Sequence, residues 1–588
     1  MVKRIAIVDK EKCTPTKCGW LCFKKCPVNL DEKECIIKGS DKKAWIDEKL
    51  CVGCGICPRI CPFGAIKILN LPEELKEEPV HRFGLNSFRL YRLAMPKEGI
   101  ITGILGRNGI GKSTALGILA GQLVPNLGDY ENNGEYDKII DKYSNTVLGK
   151  YFENLKNKEI KVSFKPQRIE MLSEAYDDIV KDLLKKVDER GIVDKLIIEL
   201  NVESVLSRKL NELSGGELQK VAIIATLAKD ASVYYFDEPM TFLDVITRIK
   251  AARVIKEYTK DRSCLVVEHD LTSLDYISDE IQIVYGEAGG YGVFSGSKSI
   301  SNGINDYLEG FLPEENVRFR DYSIKFSPQV VEKEKSSEVS FKFPKLRKNY
   351  ESFSLDVEEG ELHKGEVLAI MGANGLGKST FLKLLAKEEE ADEGEVEKIK
   401  VAYKPQILLH DYRGSVEEFL IENKVDYSSG WFKQNIFEKL GMGNLLMNKV
   451  NELSGGELQK LHIAVTLAQE ADLILLDEPS AFVDVEDRLN VAEIIKEFTL
   501  KKEVSTIVVD HDVQFIDYLA DSLLVFSGEP GVKGKVKKAL GKKDGMNEVL
   551  KLLDITYRVD QTSGRRRINK PSSVLDKEQR SKGEYYYV

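Results

Sequence analysis

The 588-residue sequence has no run of about 18 or more apolar residues, so no membrane-spanning helix is expected. Its opening stretch, MVKRIAIVDK, lacks the apolar centre of a secretory signal. These two absences exclude a transporter with fused channel domains and point to the cytoplasm. An excess of positive charge is also missing. With 86 Lys and Arg against 95 Asp and Glu, the formal net charge is −9, which argues against wholesale nucleic-acid binding and leaves room only for local basic patches. No dinucleotide fingerprint or flavin motif occurs, so the chain shows no partner cofactor for redox chemistry. Cysteine is nearly absent beyond residue 61, where Cys264 stands alone. What remains is 42% apolar and 31% charged, enough for several cores and, by length, about three to four domains.

The other nine cysteines crowd the N-terminus. Disulfides suit small secreted domains, and with no secretory signal a metal site is the better reading. Cys51, Cys54, Cys57 and Cys61, followed by Pro62, reproduce the bacterial ferredoxin run C-x2-C-x2-C-x3-C-P. Cys13, Cys18, Cys22 and Cys26, followed by Pro27, form a second run with wider spacing at its start. Zinc is the alternative, although zinc sites favour two separated CxxC pairs. In two-cluster ferredoxins the fourth cysteine of each run ligates the other cluster. The resemblance therefore implies one [4Fe-4S] cluster on Cys13, Cys18, Cys22 and Cys61 and a second on Cys26, Cys51, Cys54 and Cys57. Cys35 is left over. A domain of about 75 residues with a modest core needs such staples, which favours a structural or docking role over electron transfer.

The decamer NELSGGELQK, Asn211 to Lys220, recurs unchanged as Asn451 to Lys460, which marks an internal tandem of whole domains. Each copy is followed by an apolar strand ending in acid, Asp237-Glu238 and Asp477-Glu478, and then by an isolated histidine, His269 and His511. Upstream lie GRNGIGKST and GANGLGKST, both of the phosphate-loop form G-x-x-x-x-G-K-[ST]. This order resembles the nucleotide-binding domain of the ABC ATPases, twice over.

The phosphate-loop pattern assigns ATP binding to Gly106, Asn108, Gly109, Gly111, Lys112, Ser113 and Thr114, and to Gly372, Asn374, Gly375, Gly377, Lys378, Ser379 and Thr380. Backbone N–H groups and the lysine take the phosphates, and the serine reaches Mg²⁺. The resemblance further implies Mg²⁺ contacts from Gln167 and Asp237, with Gln406 and Asp477 in the other half. It implies water activation by Glu238 and Glu478, and γ-phosphate contacts from His269 and His511. Ser214, Gly215 and Gly216 would bind the nucleotide held by Lys378, and Ser454, Gly455 and Gly456 the one held by Lys112. Asp244 and Asp484 fall at the family's dimer-contacting loop. For the aromatic that stacks on adenine, Phe83, Phe88 and Phe343 are candidates, each equally readable as core.

Gly106 and Leu213 are 107 residues apart, whereas Gly372 and Leu453 are 81 apart, so the first cassette carries an insertion. The stretch from Tyr130 to Ile160 reads as a helix-loop-helix with Lys138, Lys142, Lys150, Lys156 and Lys158 on one face, either solvated or RNA-contacting. SNGINDYLEGFLPEENVRFR and VEKEKSSEVS between the cassettes, and a C-terminal segment containing Arg565, Arg566 and Arg567, resemble the two hinges of one subfamily, the ribosome-recycling ABC ATPase also called RNase L inhibitor. The arginines read as a basic contact patch or as a solvated tail.

The expected fold class is therefore α/β: a ferredoxin-like α+β iron-sulfur domain (1–75), a first ABC nucleotide-binding domain with its insertion near 130–160 (76–298), a hinge (299–325), a second ABC domain (326–530) and a C-terminal hinge or tail (531–588). The resemblance implies an ATPase that splits ribosomes. Its partners would be the small ribosomal subunit, a release-factor-type protein and rRNA through basic patches, and its two cassettes would pair within a monomer. The competing readings are an ATP-regulated iron-sulfur electron carrier and the ATPase subunit of a transporter.

Overall fold

The computed structural model describes all residues except 1–3, 72–74, 76, 170, 173–175, 177, 327–337, 409–410, 444 and 587–588. The chain forms two compact units. One comprises residues 1–239, 254–269 and 277–323, and the other 240–253, 270–276 and 324–588.

The first unit begins with an antiparallel pair, Arg4–Val8 with Ile66–Asn70, and a hairpin of Ile36–Lys38 with Ala44–Ile46. Between them run short helices, Pro15–Cys18, Leu21–Lys25, Pro27–Leu30 and Ile56–Ile60. Pro15 and Pro27 open their helices, where the missing N–H has no intrahelical partner to lose. The core mixes Ala6, Val8, Ile36, Ala44, Ile46 and Ile66 with Cys13, Cys22, Cys26, Cys35 and Cys57. This is the expected small α+β domain.

Asn86 ties that domain to the cassette behind it, a role no sequence pattern announced. Fully buried, with φ at 56°, it donates from its amide to Ala6 O and Ile46 O and accepts from Ile46 N, while its own carbonyl accepts from Val8 N. Glu48 adds an ion pair with Arg89.

The first cassette is built on an eight-stranded sheet in the order His81–Arg82, Arg89–Tyr91, Tyr291–Ser299, Glu280–Glu287, Ile101–Leu105, Ser263–Val267, Val233–Asp237, Val162–Lys165. The five strands from Glu280–Glu287 to Val162–Lys165 run parallel, and the apolar runs ITGIL, VYYFD and SCLVV are buried throughout. A parallel sheet covered on both faces requires such unbroken apolar runs.

The insertion forms the expected two helices, Tyr136–Lys142 and Val147–Lys156, the second capped by the Thr146 hydroxyl accepting from Gly149 N. Its inner face is fastened by a buried phenol: Tyr151 donates to Leu119 O at 2.7 Å and meets the Tyr235 hydroxyl at 2.6 Å. All five lysines point to solvent, but Lys138 pairs with Glu135 and Lys156 with Asp137, so the face is of mixed sign.

Segment 299–325 is structured. Helix Ile300–Glu309 buries Ile304, Tyr307 and Leu308, and the buried Lys298 ammonium meets Asp306, Glu314 and Glu315. Most of the lysine- and serine-rich stretch beyond it lies outside the described residues.

The second unit repeats these eight strands in the same order, Leu346–Asn349, Ser354–Val357, Lys533–Val536, Ser522–Glu529, Val367–Met371, Ser505–Val509, Leu473–Asp477, Val401–Lys404, and adds a ninth, Leu540–Gly541, antiparallel to Ser522–Glu529. The C-terminal segment corrects the sequence reading. Rather than a tail, it forms helix Lys542–Leu553, hairpin Tyr557–Val559 with Arg566–Ile568, and helix Val574–Lys582. Met546, Leu550, Tyr557 and Ile568 enter the main core of the unit. The arginine run is no contact patch either: Arg565 and Arg566 are buried, and Arg565 and Arg567 both pair with Asp275. A run of three arginines reads as solvated only where no acid lies inside to meet it.

Candidate functional site

In both halves a strand feeds a glycine loop that opens a helix, Lys112–Leu119 and Lys378–Leu385. Gly111 and Gly377, at φ 91° and 88°, make the turn, and a Cβ on either would come within 2.7 and 2.9 Å of the Phe88 and Phe353 rings. Glycine is thus required by both torsion and space. Lys112 Nζ folds back to donate to Gly106 O and Arg107 O at 2.8 and 2.7 Å. Lys378 does the same to Gly372 O and Ala373 O at 3.0 and 2.7 Å. Both ammonium groups are buried at the mouth of a ring of N–H donors, an arrangement that seats phosphates.

The acidic pairs lie beside these lysines. Burial raises Asp237 to about 6, against the pull of Ser113, and raises Asp477 likewise, against Ser379. Asp237 Oδ1 and both Asp477 carboxylate oxygens are buried and find no hydrogen-bond partner among the described residues. A buried carboxylate beside a serine hydroxyl, with lone pairs unused and proton affinity raised, fits a hard divalent cation such as Mg²⁺.

Glu238 and Glu478 behave oppositely. Burial alone would raise them, but His269 and His511, with Lys112 and Lys378, hold each at about 2. The histidine Nε2 stands 3.4 Å from the glutamate Oε1 in both halves. Gln167 and Gln406 donate to the same oxygens at 2.9 and 2.7 Å. Both glutamates adopt left-handed backbone torsions, φ 46° and 49°, an uncommon place for a side chain and a mark of sites where geometry is imposed.

The structure therefore brings together Lys112, Ser113, Gln167, Asp237, Glu238 and His269 in the first unit, and their six counterparts in the second. Residues not assigned from sequence hold them in place. Lys165 donates to Asp237 O and Glu238 O at 2.9 and 3.1 Å, and Lys404 donates to Asp477 O at 2.6 Å. Gln219 and Gln459, within the repeated decamer, donate to the Glu238 and Glu478 carbonyls. Glu268 and Asp510 accept from the backbone N–H of the following histidine. The doubled FKPQ and YKPQ motifs carried a signal for the lysines. The decamer carried one for the glutamines.

Ser214 and Ser454 cap the helices Gly215–Ala228 and Gly455–Ala468, each hydroxyl accepting from the N–H of Glu217 or Glu457 in a reciprocal capping box. The N–H groups of Gly215, Gly216, Gly455 and Gly456 sit in the first turn, where the helix dipole favours an anion. Asp484 caps helix Val485–Lys502. Asp244 lies in the second unit with the Lys378 site, and its carboxylate accepts from Asn374 N at 2.8 Å.

Among the adenine candidates, Phe83 is 55% exposed while Phe88 packs against the glycine loop. Phe343 takes the core alternative: it is buried, with Phe381 at 5.4 Å. Its half instead offers Tyr350, exposed and 6.3 Å from Phe353, matching Phe83 at 6.4 Å from Phe88.

In the N-terminal domain the two cysteine runs come together. Cys22 has Cys13, Cys18 and Cys61 as neighbours, whereas Cys57 has Cys51, Cys54, Cys22 and Cys26, and Cys26, Cys51, Cys54 and Cys57 line one cavity. Burial raises both thiols, Cys22 to about 11 and Cys57 to about 12. All are free thiols, the donor set that iron-sulfur clusters take. Cys35 lines the cavity formed by Cys26, Cys51, Cys54 and Cys57.

Among the described residues no helix is long and apolar enough to cross a membrane. Sequence-family profiles described as "ABC transporter" and "4Fe-4S binding domain" match residues 95–241 with 355–481, and residues 44–67. An uncharacterised ABC transporter ATP-binding protein of Methanocaldococcus jannaschii is 47% identical over 100% of this chain and 98% of its own. The translation initiation factor RLI1 of Saccharomyces cerevisiae is 40% identical over 100% and 98%. A solved structure described as ribosome-bound archaeal Pelota and ABCE1 contains a chain 49% identical, with a TM-score of 0.93 over 100% of both chains. With two ABC cassettes behind a 4Fe-4S binding domain and relatives of this likeness over the whole chain, the chain belongs to subfamily E of the ABC ATPases, the RNase L inhibitor family.

Proposed function

We propose that this ATPase uses ATP-driven closure of its two cassettes to separate ribosomes into subunits in the cytoplasm. Its partners are the small subunit, a release-factor-type protein and rRNA met by local basic surface. The observation that carries the reading is the full-length likeness, at a TM-score of 0.93, to a chain solved in a ribosome-bound assembly. The working parts are domains 1–75, 76–298, 299–325, 326–530 and 531–588, acting as a monomer with an internal cassette pair.

The glycine loops with Lys112 and Lys378 hold the phosphates of ATP. Ser113, Gln167 and Asp237 would hold Mg²⁺ in one site, and Ser379, Gln406 and Asp477 in the other; the ion supplies charge that neutralises the β- and γ-phosphates. Glu238 and Glu478 polarise the attacking water. At a pKa near 2 they orient it as carboxylates rather than keep its proton. His269 and His511 contact the γ-phosphate and fix the glutamate oxygens. Ser214, Gly215 and Gly216 complete the Lys378 site, and Ser454, Gly455 and Gly456 the Lys112 site, so hydrolysis requires closure.

The N-terminal domain holds two [4Fe-4S] clusters, on Cys13, Cys18, Cys22 and Cys61 and on Cys26, Cys51, Cys54 and Cys57, supported by Cys13, Cys18 and Cys61 around Cys22 and by the cavity that the second set lines. When bound, the clusters cross-link a domain too small to rest on its core alone. Anaerobically purified protein is then expected to be brown with about eight irons per chain. The ribosomal reading is tested by co-sedimentation with small subunits: binding strengthened by a non-hydrolysable ATP analogue supports it, and binding indifferent to nucleotide overturns it.

A further inference from the structure

We infer that Lys165 and Lys404 are positioning residues for ATP hydrolysis, each fixing the left-handed turn from which Glu238 or Glu478 reaches the attacking water. The inference rests on the role proposed above for the two glutamates and deepens it, because no motif gave the lysines a part in the reaction.

Lys165 and Lys404 close the outermost strand of their sheets, Val162–Lys165 and Val401–Lys404. Each strand runs parallel to the one that carries the acids, with Lys165 beside Phe236 and Lys404 beside Leu476. Both lysines are only 1% exposed. An ammonium so deeply buried is costly unless its donors are satisfied, and a covered parallel strand is better served by an apolar residue. The donors go to main chain at the acidic pair. Lys165 gives to Asp237 O at 2.9 Å and Glu238 O at 3.1 Å, and Lys404 to Asp477 O at 2.6 Å and Pro405 O at 3.2 Å.

These bonds hold one peptide at both ends. The C=O of Asp237 accepts from Lys165, while the N–H of the same peptide, that of Glu238, donates to Val267 O at 2.9 Å. In the other half the C=O of Asp477 accepts from Lys404, and the N–H of Glu478 donates to Val509 O at 2.8 Å. The glutamates then adopt φ 46° and 49°, a conformation that a side chain leaves unless its surroundings impose it. That torsion sets the direction of Cβ, and so where the carboxylate meets His269 with Gln167, or His511 with Gln406. Without the ammonium a buried carbonyl loses its donor, the peptide turns to find another, and the carboxylate swings off the water. The phosphates, seated by the glycine loops with Lys112 and Lys378, are untouched.

The test uses the full chain carrying Lys165→Met with Lys404→Met, which keeps the apolar stems and removes the donors. Its kcat should fall about tenfold or more, with KM and the calorimetric affinity for a non-hydrolysable ATP analogue within about twofold of the parent. Added to Glu238→Gln with Glu478→Gln, the lysine changes should slow the residual rate no further, because the group they aim is already gone. Should the methionine pair fail to fold, Lys165→Gln with Lys404→Gln, which keeps a shorter N–H donor, is read by the same assays, with the same split expected at smaller size. An unchanged kcat in a folded variant overturns the inference. So does a fall matched by an equal loss of analogue affinity, or a further fall in the glutamine background. Full turnover by Glu238→Gln with Glu478→Gln alone would instead show that the role given to the glutamates is wrong.

Discussion

The N–H of Asn374 donates to the Asp244 carboxylate at 2.8 Å, so the glycine loop of the second site has one of its phosphate-facing donors capped by an acid from the segment that follows Glu238. That acid occupies the place of an anion. In the Lys112→Ala background, where only the second site binds, Asp244→Ala is expected to tighten ATP binding by about tenfold, since a charge-assisted hydrogen bond of roughly 1.5–3 kcal/mol no longer competes. Asp244→Asn, which can still accept from the same N–H, is expected to move it less. Titration calorimetry distinguishes the two.

Burial raises Asp237 and Asp477 to about 6, above the ordinary aspartate value, so the folded protein favours their protonated form. This costs stability as pH rises from the unfolded value through 6, and a bound cation relieves it. Affinity for Mg-ATP should therefore climb with pH up to about 6 and level off above 7. At pH 6, binding should release protons, read as a buffer-dependent binding enthalpy; a pH-independent affinity between 5 and 7 would contradict the assignment.

Glu238→Gln with Glu478→Gln keeps the ammonium groups and loop donors but loses the charge on water, so ATP is bound and not turned over. Small-angle scattering should show ATP-dependent compaction of this variant, because a ligand that prefers the closed state shifts the population towards it. Full ATPase activity in a separately expressed cassette would show that the sites are not shared.

Arg567→Ala leaves the buried Asp275 with only Arg565, itself fully buried and held below its usual basicity by desolvation. Breaking a buried ion pair from one side costs about 3–5 kcal/mol, so a marked fall in Tm is expected, with no change in the salt dependence of RNA binding. The reverse pattern would restore the sequence reading of this run as a contact patch.

The residues gathered at the two candidate sites were legible because each lies in a motif that recurs at matched spacing: Lys112 with Lys378, Gln167 with Gln406, Glu238 with Glu478. Duplication turned weak local signals into a strong one. Asn86 was not legible, since a single buried amide between two domains has neither period nor repeat. Arg565 to Arg567 misled because charge in a sequence is read against water, whereas here Asp275 waits some 290 residues upstream. Phe343 was left open between adenine and core because an aromatic before a glycine loop says nothing about which face it turns to; it turns to the core, and Tyr350, closer to the loop, takes the exposed side.

The left-handed torsions of Glu238 and Glu478 carry a further consequence. A side chain held there costs of order 1 kcal/mol or more, and glycine does not bear that cost. Replacing either glutamate by glycine should therefore relieve the backbone strain without stabilising the chain to heat, because the carboxylate that His269 or His511 holds at about 2 is lost with it. The strain is borne where two side chains fix each carboxylate, His269 with Gln167 in one half and His511 with Gln406 in the other, so torsion and aim are set together.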